Sequence, residues 1–118
     1  MNLVASKEAA DDLAAEINNS NDSSAVTVQG NLDIKEDVEK IISVVLDAFP
    51  SIDLLINNAS TFYPTPIDDI SEDHWEKLIG SNLKGPMFLI KGLKQKLKES
   101  NNGVSIKDGS WMAASNPI

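Results

Sequence analysis

The chain of 118 residues contains no cysteine, which excludes a disulfide framework and thiolate chemistry and is typical of a reducing compartment. No apolar stretch approaches the ~20 residues that a membrane-spanning helix needs. The first residues, Met1–Ala5, lack the basic flank and long apolar core of a signal peptide. We therefore expect a cytoplasmic protein with no membrane attachment.

Positive charge is also scarce, with 10 basic residues against 18 acidic ones and a net charge of −8. This balance argues against nucleic acid as a partner, because phosphate binding needs clustered Lys and Arg. The apolar fraction of 42% with 24% charged residues is ordinary for a globular protein of one domain, residues 1–118.

The hydrophobic pattern predicts alternating strands and helices. Short apolar or β-branched runs predict strands near 2–5, 25–29, 54–56 and 104–107. Helical spacing predicts helices near 7–18, 36–49 and 72–99, with Ser6 and Ser71 as N-caps. Trp75 falls at a core position of the last helix. Because the connections are short, the order implies an α/β fold with a parallel, doubly wound sheet covered by helices on both faces.

Asn82 is the clearest mechanistic signal in the sequence. It lies inside the longest predicted helix, four residues before Pro86. Because proline has no N–H, Pro86 cannot donate a hydrogen bond to the Asn82 carbonyl. The helix should bend between these residues and leave that carbonyl available to another partner.

Three sequence features belong to a known family. They are the turn Asn57–Ser60 after an apolar strand, the segment Gly80–Leu83 that contains Asn82, and the loop Ser60–Pro66 with two aromatic residues and two prolines. Over about residues 2–103 the chain resembles the short-chain dehydrogenase/reductase family. Ser60 in place of the usual glycine, together with the aromatic loop, resembles its pteridine reductase branch. The resemblance implies a partial Rossmann-like fold and an NAD(P)H-dependent oxidoreductase.

The resemblance also implies roles at the cofactor. The turn Asn57, Asn58, Ala59 and Ser60 would contact the adenosine ribose, and Asn31 and Leu32 would hold the adenine. Asn31 replaces the family's aspartate and could still accept from the adenine amino group. Ser6 lies where relatives that prefer NADP bind its extra phosphate, which favours NADP (NADPH) over NAD.

For substrate and catalysis, the resemblance implies that Phe62 stacks on a pterin ring while Ser60 and Tyr63 line the same pocket. The Asn82 main-chain carbonyl would hold a water in the proton relay. No metal is expected. The lone His74 is interpreted as a solvated residue.

Two family elements are absent from the 118 residues. The six glycines form no cluster of the kind that binds a pyrophosphate, and no Tyr-x-x-x-Lys pair occurs. Asp108, Ser110 and Ser115 are the possible stand-ins for the family's catalytic acid or serine. We therefore interpret the chain as an internal fragment of a reductase that is inactive alone and whose full-length parent is a homodimer or homotetramer.

Three alternatives remain open. The same family could act on a carbonyl substrate such as a 3-oxoacyl thioester, a sugar or a steroid. The chain could be a remnant that only binds or dimerises. A phosphoacceptor receiver domain is disfavoured, since Asp11 and Asp12 fall inside a helical pattern and Asp53 begins its strand.

Overall fold

A computed structural model describes residues 3–20, 25–61, 63–100 and 103–107, with the backbone alone for 3–6 and 106–107. Its regular elements follow in chain order: helix α1 (Leu3–Ser20), helix α2 (Lys35–Ala48), strand β1 (Leu54–Asn57), a short 3-10 turn (Ile67–Asp69), helix α3 (Glu72–Ile79), a π-helical segment (Gly80–Lys84), helix α4 (Gly85–Glu99) and strand β2 (Val104–Lys107).

The sheet has two parallel strands in the described part of the chain. Leu54 pairs with Val104 and Asn57 with Lys107, as the predicted positions of these strands require. Helix α4 lies between them in sequence and packs against both, so the unit is a β-α-β crossover. Leu89 and Leu93 of α4 are buried, and so is Val38 of α2, which packs beside α4.

Two of the predicted strands are wrong. Residues 3–5 belong to α1, which continues through Ser6, so Ser6 is inside the helix and is not its N-cap. Residues 25–29 have no regular secondary structure and stay outside the sheet.

The 25–29 segment forms hydrogen bonds with side chains of the helices and does not pair with a neighbouring strand. The amide of Asn18 both donates to the Ala25 carbonyl and accepts from the Ala25 N–H, at 2.9 and 2.8 Å. The ammonium of Lys40 donates to the Gln29 carbonyl at 3.0 Å. These contacts give the segment hydrogen-bond partners even though no neighbouring strand pairs with it.

One face of the sheet is bare among the described residues, although the sequence predicts helices on both faces. Leu54 and Ile56 point to the same face, because side chains alternate along a strand, and they are 50% and 58% exposed. Trp75, predicted as a core residue, is 58% exposed. The hydrophobic core therefore lies on the α4 side of the sheet.

The predicted helix over 72–99 begins and ends where expected, but it consists of three consecutive parts: α3, the π-helical segment and α4. Ser71 caps it as predicted, because the Ser71 hydroxyl accepts from the His74 N–H at 3.2 Å. A π-helical segment, Gly80–Lys84, occupies the stretch where a bend was predicted between Asn82 and Pro86, and the bend itself stays a prediction.

None of the helices in the described ranges combines the length and the apolar character that crossing a bilayer requires.

Candidate active site

The carboxyl end of β1 carries the first group of candidate residues. Asn57, the last residue of the strand, is 4% exposed, whereas Asn58, Ala59 and Ser60 after it are exposed. The chain thus passes from a buried strand end to an open turn whose backbone a ligand can approach. Open parallel sheets bind their ligands at this end of the strands.

Asn82 reaches this turn through two hydrogen bonds with Thr61. The side-chain amide of Asn82 donates to the Thr61 carbonyl at 2.8 Å and accepts from the Thr61 N–H at 3.1 Å. The side chain therefore uses both ends of its amide on the backbone of a residue that precedes it by 21 positions. This pairing places Asn82 beside the loop that contains Ser60 and Tyr63.

The π-helical segment is the local reason that Asn82 occupies this position. The Gly85 N–H donates to the Gly80 carbonyl, five residues back, and widens the helix by one residue. Pro86 follows at once, and its ring nitrogen offers no proton to the Asn82 carbonyl. The Ser81 hydroxyl donates to the Lys77 carbonyl at 2.9 Å, so a side chain completes the hydrogen bonding where the helix widens.

The candidate adenine residues lie in the loop before α2. The Asn31 N–H donates to the Asp37 carboxylate at 2.7 Å, which ties the loop to the first turn of that helix. Leu32 contacts Gly85, where a Cβ would overlap the Leu32 carbonyl oxygen. The loop is thus packed against the helix one turn after Asn82.

A cavity of about 420 Å³ opens between α2 and α4. Its apolar lining includes Leu32, Val38, Ile42 and Phe88, and its charged lining includes Lys35, Glu39, Lys84 and Lys91. Of the sequence-predicted site residues whose side chains are described, Leu32 lines it and the others do not. None of the described residues of the loop 60–66, where the resemblance implies the substrate, lines this cavity.

Tyr63 is half-buried against His74, with ring centroids 5.6 Å apart and an edge-on angle of 64°. His74 is more than a solvated residue, because its Nδ1 accepts from the Ser71 N–H at 3.3 Å and completes a capping box. Sequence reasoning missed this role, although Ser71 three residues before His74 was the available signal.

Asp73 and Lys77, which stand on either side of His74 in the sequence of α3, form an exposed ion pair. The Lys77 ammonium donates to the Asp73 carboxylate at 2.8 Å. This hydrogen bond lowers the pKa of Asp73 below its usual range and raises the pKa of Lys77 above its own.

Several predicted site residues fall outside these contacts. The backbone of Ser6 lies within α1, and Phe62, Asp108, Ser110 and Ser115 lie outside the described residues. Thr61 and Asp37 were not identified from the sequence. The partner of Thr61 lies 21 positions away, so no local motif signals that contact.

A family model described as short chain dehydrogenase matches residues 1–116. Among similar proteins, the short chain dehydrogenase/reductase astE of Aspergillus oryzae is 32% identical over 95 residues, covering 79% of this chain and 36% of the relative. The 3-oxoacyl-[acyl-carrier-protein] reductase of Synechocystis is 31% identical over 103 residues, covering 87% and 41%. The chain thus spans less than half the length of these relatives.

Solved structures that are similar to this chain share its fold. A short chain dehydrogenase from Burkholderia cenocepacia in complex with NADP matches with a TM-score of 0.80 at 23% identity, over 94% of this chain and 44% of that one. A metagenomic short-chain oxidoreductase, also with NADP, matches with a TM-score of 0.73 at 25% identity, over 89% and 46%. These likenesses confirm the partial Rossmann-like fold.

Proposed function

Because the chain belongs to the short-chain dehydrogenase family of oxidoreductases, we propose that it supplies the substrate side of an NADPH-dependent reductase that acts on a pterin or dihydrofolate-type ring. The observation that carries the proposal is the pairing of Asn82 with Thr61. It holds a loop with two aromatic residues and two prolines beside the residue that the family uses in its proton relay.

The loop composition favours a flat substrate. Pro64 and Pro66 fix the backbone on either side of Thr65, whose hydroxyl donates to the Tyr63 carbonyl at 3.1 Å. A rigid loop can present Phe62 as a planar wall with little entropy left to lose on binding, and aromatic faces stack well on planar rings. Ser60 is exposed in the same loop and offers a hydroxyl for hydrogen bonding to the substrate ring.

The Asn82 backbone carbonyl has the role of holding the relay water in this proposal. Pro86 cannot donate to it, and the Asn82 side chain is already engaged with Thr61. The two functions of one residue are then separate: the amide positions the loop, and the carbonyl accepts from water. The tyrosine and lysine that complete such a relay do not occur as a Tyr-x-x-x-Lys pair in these 118 residues.

A nicotinamide dinucleotide would supply the hydride. The residues present fit its adenosine end, because Asn31 is exposed in a loop fixed by Asp37 and the turn from Asn58 to Ser60 is open at the strand end. Preference for NADP rests on Ser6 and Lys7 near the start of α1, where hydroxyl and ammonium groups can serve a phosphate. Lys7 forms an exposed ion pair with Asp11.

A carbonyl or alcohol substrate is the second candidate, and the known activities in the names of two relatives favour it. They include the 3-oxoacyl reductase above and an NAD-dependent glycerol dehydrogenase of Listeria innocua. A chain that only binds or dimerises is the third.

Turnover by a chimera separates these candidates. Residues 1–107 would replace the matching segment of the Burkholderia relative, which supplies the strands and residues that flank it. We expect NADPH oxidation with dihydrobiopterin at a kcat/KM at least tenfold above that for 3-oxoacyl, sugar or steroid substrates. Faster reaction with any of those carbonyl compounds would contradict the pterin assignment.

Phe62→Ala in the same chimera tests the stacking role. Loss of one aromatic face should raise KM for dihydrobiopterin about fivefold, since stacking is worth roughly 1 kcal/mol beyond the buried area. KM for NADPH should change less than twofold. Thr65→Ala is the control for general loosening of the loop, and equal effects on both KM values would make Phe62 structural.

A further inference from the structure

Two buried side-chain oxygens have no hydrogen-bond partner among the described residues. They are Oδ1 of Asp33 and the hydroxyl of Tyr63. Folding rarely leaves such groups unpaired, because burial removes water and nothing replaces it, and the cost is higher for a charged oxygen. The Asp33 carboxylate oxygen is an acceptor and the Tyr63 hydroxyl can donate, so a hydrogen bond between them would satisfy both groups.

Asp33 and Tyr63 contact the helical stretch that begins with α3 at two different positions. Tyr63 contacts His74 through its ring. Asp33 lies against Gly80, where a Cβ on the glycine would come within 2.6 Å of the Asp33 Cβ. Lys77 is three residues from each of these positions, and residues three apart are neighbours on a helix surface. The acid and the phenol therefore lie on either side of Lys77.

The Lys77 ammonium can leave its present partner for the Asp33 carboxylate at a small cost in free energy. Its present partner is Asp73, and the two side chains are 55% and 70% exposed. Exposed ion pairs of this kind contribute little to stability, so the ammonium can leave Asp73 readily. The carboxylate of Asp33 also acts on the charge of Lys77, in the direction that raises its pKa, after the larger effect of Asp73.

We propose that Asp33, Tyr63 and Lys77 close into a polar clamp when their side chains rotate from the positions seen in the structure, so that the Tyr63 hydroxyl and the Lys77 ammonium both donate to the Asp33 carboxylate. The clamp joins the loop 60–66, which follows β1, to the loop 30–33, which precedes α2. In the proposed function these loops carry the substrate and the adenine residues, and on that basis Asp33 and Lys77 are positioning residues that link the two ends of the site.

Amide hydrogen exchange in the 118-residue chain tests the clamp without cofactor or substrate. The probes are the Thr61 N–H, bonded to Asn82, and the Asn31 N–H, bonded to Asp37. Tyr63→Phe and Asp33→Asn should each accelerate exchange at both amides about fivefold or more. The double variant should be no faster than the faster single variant, because both remove the same interaction.

Two results would contradict the clamp. If Tyr63 made no such bond, Tyr63→Phe would remove an unsatisfied buried hydroxyl and exchange would stay the same or slow down. Additive effects in the double variant would also overturn the clamp. Asp73→Asn is the matched control, since it removes only the exposed partner of Lys77 and should leave exchange at both amides unchanged.

Because these measurements need no turnover, failure of the clamp leaves the pterin assignment standing, and failure of dihydrobiopterin as substrate leaves the clamp standing. A second readout uses the only tyrosine in the chain. Its ring carbons give one set of NMR signals, which should shift in Asp33→Asn and in Lys77→Met. Signals unmoved in both variants would contradict the proposal.

Discussion

At the scale of single residues, Asn82 shows what its sequence context can and cannot reveal. Pro86, four residues later, signals an irregular helix and an available Asn82 carbonyl. The side-chain pairing with Thr61 is invisible in the sequence, because it joins residues 21 positions apart through backbone groups that any residue type possesses. The sequence therefore identifies the residue, and the structure identifies the second task of its side chain.

Replacement of Asn82 should separate positioning of the loop from the rest of the fold. Asn82→Ala removes both bonds to Thr61, and we expect unfolding to become easier by about 1–2 kcal/mol. Asn82→Asp keeps the acceptor and places a carboxylate beside the Thr61 carbonyl, so it should cost at least as much. Urea unfolding measures both changes, with the exposed Asn58→Ala as the control. An unchanged midpoint in Asn82→Ala would mean that the Thr61 pairing contributes nothing.

At the scale of elements, the junction of the π-helical segment with α4 decides how closely the loop before α2 can approach. Gly85 is buried there, and its missing side chain makes room for the Leu32 carbonyl. The glycine was visible in the sequence, but its contact was not, because the partner lies more than fifty residues earlier. Helix bounds were predictable from apolar spacing, whereas this approach depends on tertiary packing.

Gly85→Ala should therefore destabilise the protein by disrupting the contact between Gly85 and the Leu32 carbonyl. The new Cβ would meet a backbone oxygen, which cannot turn aside as a side chain can, and we expect a loss of about 1–3 kcal/mol in unfolding free energy. Gly92→Ala is the matched control in the same helix, since its Cβ would meet only the Ile42 side chain. Alanine also favours helix formation over glycine. A smaller loss in Gly85→Ala than in Gly92→Ala would contradict this account.

At the scale of the whole molecule, the chain has a small core for its length. Its radius of gyration is 16.2 Å, against about 13–14 Å for a compact domain of this size. Leu54 and Ile56 on the bare face of β1 show where apolar surface remains exposed. The strand prediction at 25–29 fails for a related reason, because a strand needs neighbours to pair with and the described sheet contains only β1 and β2.

Local sequence signals thus predicted β1, β2 and the helices, and among these β1, α4 and β2 pack together as one β-α-β unit. They failed at residues 2–5, where helix-forming neighbours such as Lys7 and Glu8 extend α1 instead. They also missed the residues that join distant segments, Thr61 and Asp33 among them.

We propose that this chain supplies the substrate side of a reductase site, and its sequence contains neither a glycine-rich pyrophosphate loop nor a Tyr-x-x-x-Lys pair. The direct test is isothermal titration of the 118-residue chain with NADPH, followed by an absorbance assay of NADPH oxidation with dihydrobiopterin. General acid–base assistance is worth on the order of a hundred- to ten-thousand-fold in rate. We predict no micromolar binding and no turnover by the chain, and both activities in the chimera; micromolar binding or clear turnover by the chain alone would contradict the account.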